Sequence, residues 1–406
     1  MRDAIQEFYD NRPYPRFDGD LPLAGVAARP KATAAIHHGF GGVVPKNDPV
    51  RVLIAGGGSG MGLCLLAKGF EELGVDARFT YLDISPESRK YAEARSEAAG
   101  IREIEFRTGD INALSPDTDG FFDFIDFTGV INHVADAQHA VNALAGVLTS
   151  DGSISCMAYG RTGRTGIYDF QELIFRLLGP HPDIGIARAV LKTLPTNNWL
   201  RKSPLYPHLV AADDVEFADA LLNPRDRAFS TGELEDIFAT AGLEWIGFTP
   251  PILYDPVAIL KSGPAADAAA GLSSSDRRRV AELLIGDLNK HFLFARRSAP
   301  RNALETALQD PNSELFSSGT IILPDEMQTA NDGKITISVK TRMDGRERTV
   351  GVKFTAAEAE LIGKLREPVQ VGRLRADIGP SEFEQAFERV YRFLTSLDML
   401  HVVARR

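Results

Sequence analysis

The chain has 406 residues, of which 44% are apolar and 25% charged, with a formal net charge of −10. That mixture supports a large core in two or three domains and excludes whole-chain disorder. The acidic balance argues against a nucleic-acid binder working by bulk charge. Two cysteines, Cys64 and Cys156, exclude a disulfide framework and fit a reducing cytoplasm, and no window approaches the roughly 20 apolar residues of a membrane span.

Four stretches follow in chain order. Residues 1–49 have little periodicity. They hold Tyr9-Asp10-Asn11-Arg12-Pro13-Tyr14-Pro15 and His37-His38-Gly39-Phe40. The prolines forbid a long helix there, and His37 and His38 read as an exposed linker. In 50–298, strands are expected at 50–55, 78–83, 104–108, 122–127 and 153–158, with helices at 61–73, 86–99 and 137–148. Nearly all-apolar strands alternating with helices mean an α/β fold, a doubly wound, Rossmann-like parallel sheet. A mostly helical insertion spans 159–230. A helix at 232–241 and closing strands at 244–248 and 291–295 follow. Between those strands lie 262–275, rich in Ala, Gly and Ser and read as a mobile loop, and a helix at 276–288. After a weakly patterned linker, 299–332, residues 333–406 form a small α+β domain. Strands at 334–340 and 348–353 flank Asp344-Gly345, a hairpin signal. Thr355 with Glu358, and Ser381 with Glu384, match capping boxes. Phe383, Phe387, Val390, Leu394 and Leu397 keep a helical stripe, and a last strand is expected at 401–404. The order reads as winged-helix-like.

Chemistry concentrates at the ends of the first four strands. Gly56-Gly57-Gly58-Ser59-Gly60 turns a strand into a helix, where glycine admits close backbone approach and the helix start offers free amides. The spacing is G-x-G-x-G. A dinucleotide loop would put a third glycine at Met61 or Leu63, and a P-loop needs a Lys-Ser/Thr pair; both are missing. Asp83, beside Ile84, ends the second strand, where a carboxylate can accept both hydroxyls of a ribose. It could also cap the next helix, although Ser85 can fill that role. Asp110 and Ile111 follow the third strand, either to receive an adenine or as an exposed turn. Phe127 and Thr128 end the fourth, leading to Gly129-Val130-Ile131-Asn132-His133.

In this order the four signals resemble class I S-adenosylmethionine-dependent methyltransferases. The loop, Gly129 to Val134, Asn223-Pro224-Arg225-Asp226-Arg227-Ala228-Phe229 and Tyr9 to Pro15 are similar to a bacterial subgroup whose members are sometimes fused to tetratricopeptide repeats, absent here. The resemblance covers roughly residues 1–298. It implies that S-adenosyl-L-methionine is the cofactor, with Gly56, Gly57, Gly58 and Gly60 along its methionine part. Asp83 and Ile84 would serve the ribose, Asp110 and Ile111 the adenine, and Phe127 and Thr128 would touch it by backbone. It also implies that the segment with Tyr9 and Tyr14 folds over the cofactor. One departure stands out: many such enzymes carry an acidic residue two before the first loop glycine, where this chain has Ile54.

Methyl transfer needs an aligned acceptor and a dry site, but no metal. A base is needed only for a protonated acceptor. His133 and Tyr14 are the catalytic candidates, His133 as base or as a loop hydrogen-bonder. The insertion reads as a substrate lid carrying Tyr159, Arg161, Arg164 and Tyr168. Residues 161–202 hold 7 basic against 3 acidic residues, so the acceptor is expected to be acidic, a small molecule or a peptide. Residues 333–406 are expected to pack or dimerise, ahead of docking a peptide or nucleic acid. The competing reading is a non-catalytic, cofactor-sensing regulator that uses this domain to hold a partner or DNA; a nicotinamide oxidoreductase ranks third.

Overall fold

The computed structural model describes residues 4–15, 27–45, 49–299, 301–318, 320–322, 335–343 and 346–405. Its centre is a seven-stranded sheet in the order β3-β2-β1-β4-β5-β7-β6. The strands are β1 (Val50–Ala55), β2 (Ala77–Asp83), β3 (Ile104–Thr108), β4 (Phe122–Thr128), β5 (Leu148–Tyr159), β6 (Glu244–Thr249) and β7 (Lys290–Arg296). The first five run parallel, and β7 is antiparallel to both β5 and β6. The expected Rossmann-like α/β sheet is therefore present. β1 is buried at five of six positions, as a strand covered on both faces must be. No helix among the described residues is long and apolar enough to cross a membrane.

Helices α1 (Ala4–Asn11), α2 (Arg29–Phe40), α3 (Met61–Glu72) and α4 (Pro86–Ala98) lie near the cavity described below. The 12-residue α2 corrects the expectation that prolines keep residues 1–49 from forming a long helix. Pro30 sits in the first turn, where a missing amide costs nothing. Ile36 and Phe40 join Leu63, Leu66, Phe70, Ile54 and Phe124 in one core cluster. His37 and His38 are not an exposed linker either. His37 is buried, and its Nδ1 accepts from Val402 N at 3.1 Å. His38 Nε2 lies 2.6 Å from Asp398 Oδ1.

The insertion builds its own core. Helices Ile167–Leu178, Ile184–Thr193, Trp199–Lys202, Tyr206–Ala211 and Asp214–Leu221 bury Phe170, Ile174, Leu191, Leu200 and Phe217 together. The expected mobile loop at 262–275 contains a helix, Pro264–Ala270, which buries Ala266 and Ala269. Alanine is the best helix former, and its abundance was misread as a loop signal.

The expected linker at 299–332 also carries structure. It holds a helix, Ala303–Gln309, and two strands, β8 (Glu314–Ser317) and β9 (Thr320–Ile322). β8 is the middle strand of a second sheet, between β12 (Val369–Gln370) and β13 (Leu400–Val403), while β9 pairs β10 (Ile335–Met343), which pairs β11 (Arg346–Phe354). The hairpin is thus present, with its Asp344-Gly345 turn outside the described residues. The capping box at Thr355 and Glu358 forms. Ser381, where another was expected, stands inside the helix Pro380–Ser396, which begins from Gly379. Val390, Leu394 and Leu397 are buried in the same cluster as Ile125 and Phe229, so the C-terminal elements share a core with the sheet.

Candidate active site

A cavity of about 370 Å³ opens at the carboxyl ends of β1 to β5, where open α/β sheets bind ligands. Its floor is the loop after β1. Gly56 and Gly58 have φ of 73° and 51°, a region that side-chain-bearing residues avoid. A Cβ on Gly58 would also come within 2.8 Å of Tyr14 O. The N-terminal segment is therefore laid directly over the loop. Ser59 fastens it, donating from N to Tyr14 O at 3.1 Å and from Oγ to Pro15 O at 2.6 Å.

Asp83 ends β2 in the cavity wall, with Ile84 beside it. Its carboxylate accepts from Gly58 N at 2.8 Å and Ser85 N at 2.9 Å, tying β2 to the glycine loop. The cap of α4 falls to Ser85, whose Oγ accepts from Ser88 N. Burial pushes the Asp83 carboxyl up to about 6, against its backbone hydrogen bonds from Ser85, Gly58 and Ile84 and with help from nearby Asp10. Asp110 and Ile111 line the next stretch of wall. Asp110 accepts from Asn112 N at 2.9 Å and caps a short 3-10 turn.

Thr128, Gly129, Val130, His133 and Tyr159 form the far wall. His133 Nδ1 lies 2.8 Å from Arg225 O. A carbonyl only accepts, so Nδ1 carries the hydrogen and Nε2 of the neutral ring is left as the base. The Asn223–Phe229 motif stitches down this loop: Asn132 Nδ2 donates to Arg227 O at 2.6 Å, and Arg227 N to Asn132 O at 3.0 Å. Tyr9 reaches in from α1. Its hydroxyl donates to Asp219 Oδ1 at 2.9 Å and accepts from Asn223 Nδ2 at 3.2 Å. The ring centroids of Tyr9 and Tyr159 lie 6.1 and 5.8 Å from that of His133. Burial, then Asp219, holds both phenols well above the usual tyrosine range, so they stay neutral. Burial also raises Tyr14, which lines the cavity.

Several expected residues lie outside the lining. Phe127 is fully buried in the core, because side chains alternate along β4 and only its neighbours Asp126 and Thr128 line the cavity. Gly60 is outside the lining; a Cβ there would meet Ala92 at 2.8 Å, so it serves helix packing. Arg161, Arg164 and Tyr168 are outside it too. Arg161 is exposed and forks onto Glu233 at 2.7 Å. Arg164 is buried against Asp226 and stacked 4.0 Å over the Tyr159 ring, and its guanidinium stands 5.5 Å from Tyr168. Arg161 and Arg164 are thus paired with carboxylates of this chain rather than turned into the cavity. Sequence reading missed Lys31, Asp126, Asp219 and Arg225, all in the lining.

An S-adenosyl cofactor fits this shape. Acidic groups at the ends of β3 and β2 and the side-chain-free glycine backbone after β1 follow one line along the sheet edge, closed by the N-terminal segment.

Comparison with known proteins agrees. Residues 53–156 match the family model described as Methyltransferase domain. An uncharacterised protein of Synechococcus sp. is 29% identical over 303 residues, covering 72% of this chain and 70% of that protein. A ubiquinone biosynthesis O-methyltransferase of Xanthomonas euvesicatoria is 30% identical over 112 residues, 28% of this chain and 44% of that one. PKMT2 from Rickettsia typhi shares the fold over 96% of this chain and 78% of its own, with a TM-score of 0.68 at 16% identity. The same protein solved in complex with AdoHcy gives a TM-score of 0.66. The protein carries a methyltransferase domain and is an S-adenosylmethionine-dependent methyltransferase.

Proposed function

We propose that the enzyme methylates an amine, presented by a small molecule or a peptide. The observation that carries this is the Tyr9, Tyr159 and His133 ring cluster with Asp219 behind it. Two neutral phenol faces and a carboxylate suit a cation, which is attracted to ring faces and stabilised by the acid. The cofactor's adenine is assigned to Asp110 and Ile111, its ribose hydroxyls to Asp83, and its sulfonium region to the backbone of Gly56 to Gly58. Tyr14 closes the cavity against water. An ammonium acceptor must lose a proton before it attacks the methyl group. His133 Nε2 takes that proton, while Arg225 O holds the ring in position through Nδ1.

The C-terminal elements are read as a winged-helix-like unit in which β8 supplies the middle strand from earlier in the chain. Its shared core favours a packing role over a detached regulator.

The test supplies methyl-labelled S-adenosylmethionine with lysine-bearing peptides, small amines and carboxylic acids. Label is expected in the amines and lost in His133→Gln, with cofactor binding retained. Label in carboxylic acids alone would sink the amine reading.

A further inference from the structure

The departure at Ile54 leaves β1 without a carboxylate below the glycine loop, and the structure offers one next door. In the β1–β4 ladder, Ile54 is the register partner of Asp126, so the two side chains share one face of the sheet. Asp126 is 3% exposed. Its Oδ1 accepts from Thr128 Oγ1 at 2.5 Å and Ser155 Oγ at 3.1 Å. Its Oδ2 faces Lys31 Nζ at 2.6 Å. Lys31 stands in the first turn of α2, and both residues line the cavity. They also line a second cavity of about 550 Å³ beside it, so the pair stands where two open spaces meet.

Stability gives no reason for this pair. A buried ion pair gains little over a well-packed apolar pair of similar volume, and neighbouring positions of β4 are apolar. Strand order supplies a reason. Asp110 follows β3, Asp83 ends β2, the glycine loop follows β1, and Asp126 lies on β4, in the same left-to-right order as β3-β2-β1-β4. A cofactor with its adenine at Asp110 and its ribose at Asp83 must send its remaining chain across β1 toward β4. That chain ends in an α-ammonium and an α-carboxylate. Gly62 keeps the approach open: a Cβ there would stand 3.2 Å from Lys31 Nζ and 3.4 Å from Asp126 Oδ2.

We propose that Lys31 and Asp126 form the subsite for the α-amino-acid end of the cofactor. Asp126 Oδ2 accepts from the α-ammonium and Lys31 Nζ donates to the α-carboxylate, so that one ion pair opens into two charge-assisted contacts. The lysine stem is partly exposed, 27%, and can swing by the required distance; the carboxylate, fixed by Thr128 and Ser155, cannot. This rests on reading the first cavity as the cofactor site.

The test is titration calorimetry of the full chain with two ligands. S-Adenosylhomocysteine carries the amino-acid end; 5′-deoxy-5′-methylthioadenosine lacks it. Asp126→Asn and Lys31→Met are each expected to weaken S-adenosylhomocysteine 10- to 100-fold and to leave methylthioadenosine within twofold. Asp83→Ala should weaken both ligands. Lys31→Met removes a partly exposed side chain, so it guards against a folding defect in Asp126→Asn. The subsite is refuted if either variant with a wild-type melting curve binds both ligands as the wild type does, or weakens both equally. Failure of the wild type to bind either ligand would instead overturn the cofactor reading of the cavity, and the subsite with it.

Discussion

Replacing Asp83 by Asn separates what this carboxylate costs the fold from what it contributes to binding. In the folded protein its pKa lies near 6, against an ordinary 3.8. A raised carboxyl stabilises the fold fully only below the unfolded value, and that contribution is lost as pH rises through about 6. At pH 8 the ionised, buried group therefore costs the native state about 3 kcal/mol, and at pH 5 about 1.5 kcal/mol. The amide keeps one acceptor oxygen, so one of the bonds from Gly58 N and Ser85 N is lost. That loss is about 1–2 kcal/mol at either pH. Asp83→Asn should therefore be about 1–2 kcal/mol more stable than wild type at pH 8 and close to equal at pH 5. Urea unfolding at the two pH values measures the difference. The melting shift given by S-adenosylmethionine, about 2.7 kcal/mol at 100 times Kd, should shrink in the same variant. A stability gap that does not change between pH 5 and pH 8 would refute the reasoning.

Other outcomes follow from the same geometry. Tyr9→Phe removes the hydroxyl between Asp219 and Asn223; unfolding should show a loss of about 1–3 kcal/mol, and kcat should fall more than cofactor affinity. Arg161→Ala breaks only an exposed pair with Glu233, so stability should change by less than about 1 kcal/mol and steady-state kinetics should be unaltered. Asp398 sits between His38 and His401, at 2.6 and 3.0 Å; burial would raise its carboxyl, but the histidines outweigh this and hold it well below the usual range. That stability is present above the unfolded value near 4 and lost as pH falls through the folded one. Asp398→Asn should therefore cost about 1–3 kcal/mol at pH 7, and the gap to wild type should narrow in urea melts below pH 4. Gly57→Ala would drive a Cβ to 2.3 Å from the Tyr81 ring, so the melting temperature should drop and cofactor binding with it.

Local signals carried the fold and half of the cavity. The apolar runs at 50–55 and 122–127 and the Gly56–Gly60 loop each state their structure within a few residues, and Asp83 and Asp110 follow from their places at strand ends. Lys31, Asp126 and Asp219 could not be found that way. Asp219 meets Tyr9 across 210 residues of sequence, and nothing near either one announces the other. Asp126 sits between Ile125 and Phe127 in a strand that also holds Asp123; the available clue was parity, since positions 126 and 128 share a face and 127 does not. The partners of the lid arginines also lie beyond a local window. Counting charges over 161–202 left out Asp226 and Glu233, which lie beyond that window and neutralise Arg164 and Arg161. The 262–275 segment was misjudged because alanine-rich composition serves helices as readily as loops.

Helix α2 joins two places that are far apart in sequence. Its first turn carries Lys31, and later turns carry Thr33, His37 and His38. Thr33 Oγ1 lies 2.8 Å from His401 Nδ1, and Val402 N donates to His37. A few residues on, Val43 bridges Ala404. The strand that completes the C-terminal sheet is thus riveted to the helix that borders the cavity. With Lys31 holding the cofactor as proposed, thermodynamic linkage works in both directions: a loosening of β13 from α2 that lowers cofactor affinity by some factor is resisted by cofactor binding to the same factor. Amide hydrogen exchange in β13 would read out an occupied cavity from the opposite side of the helix.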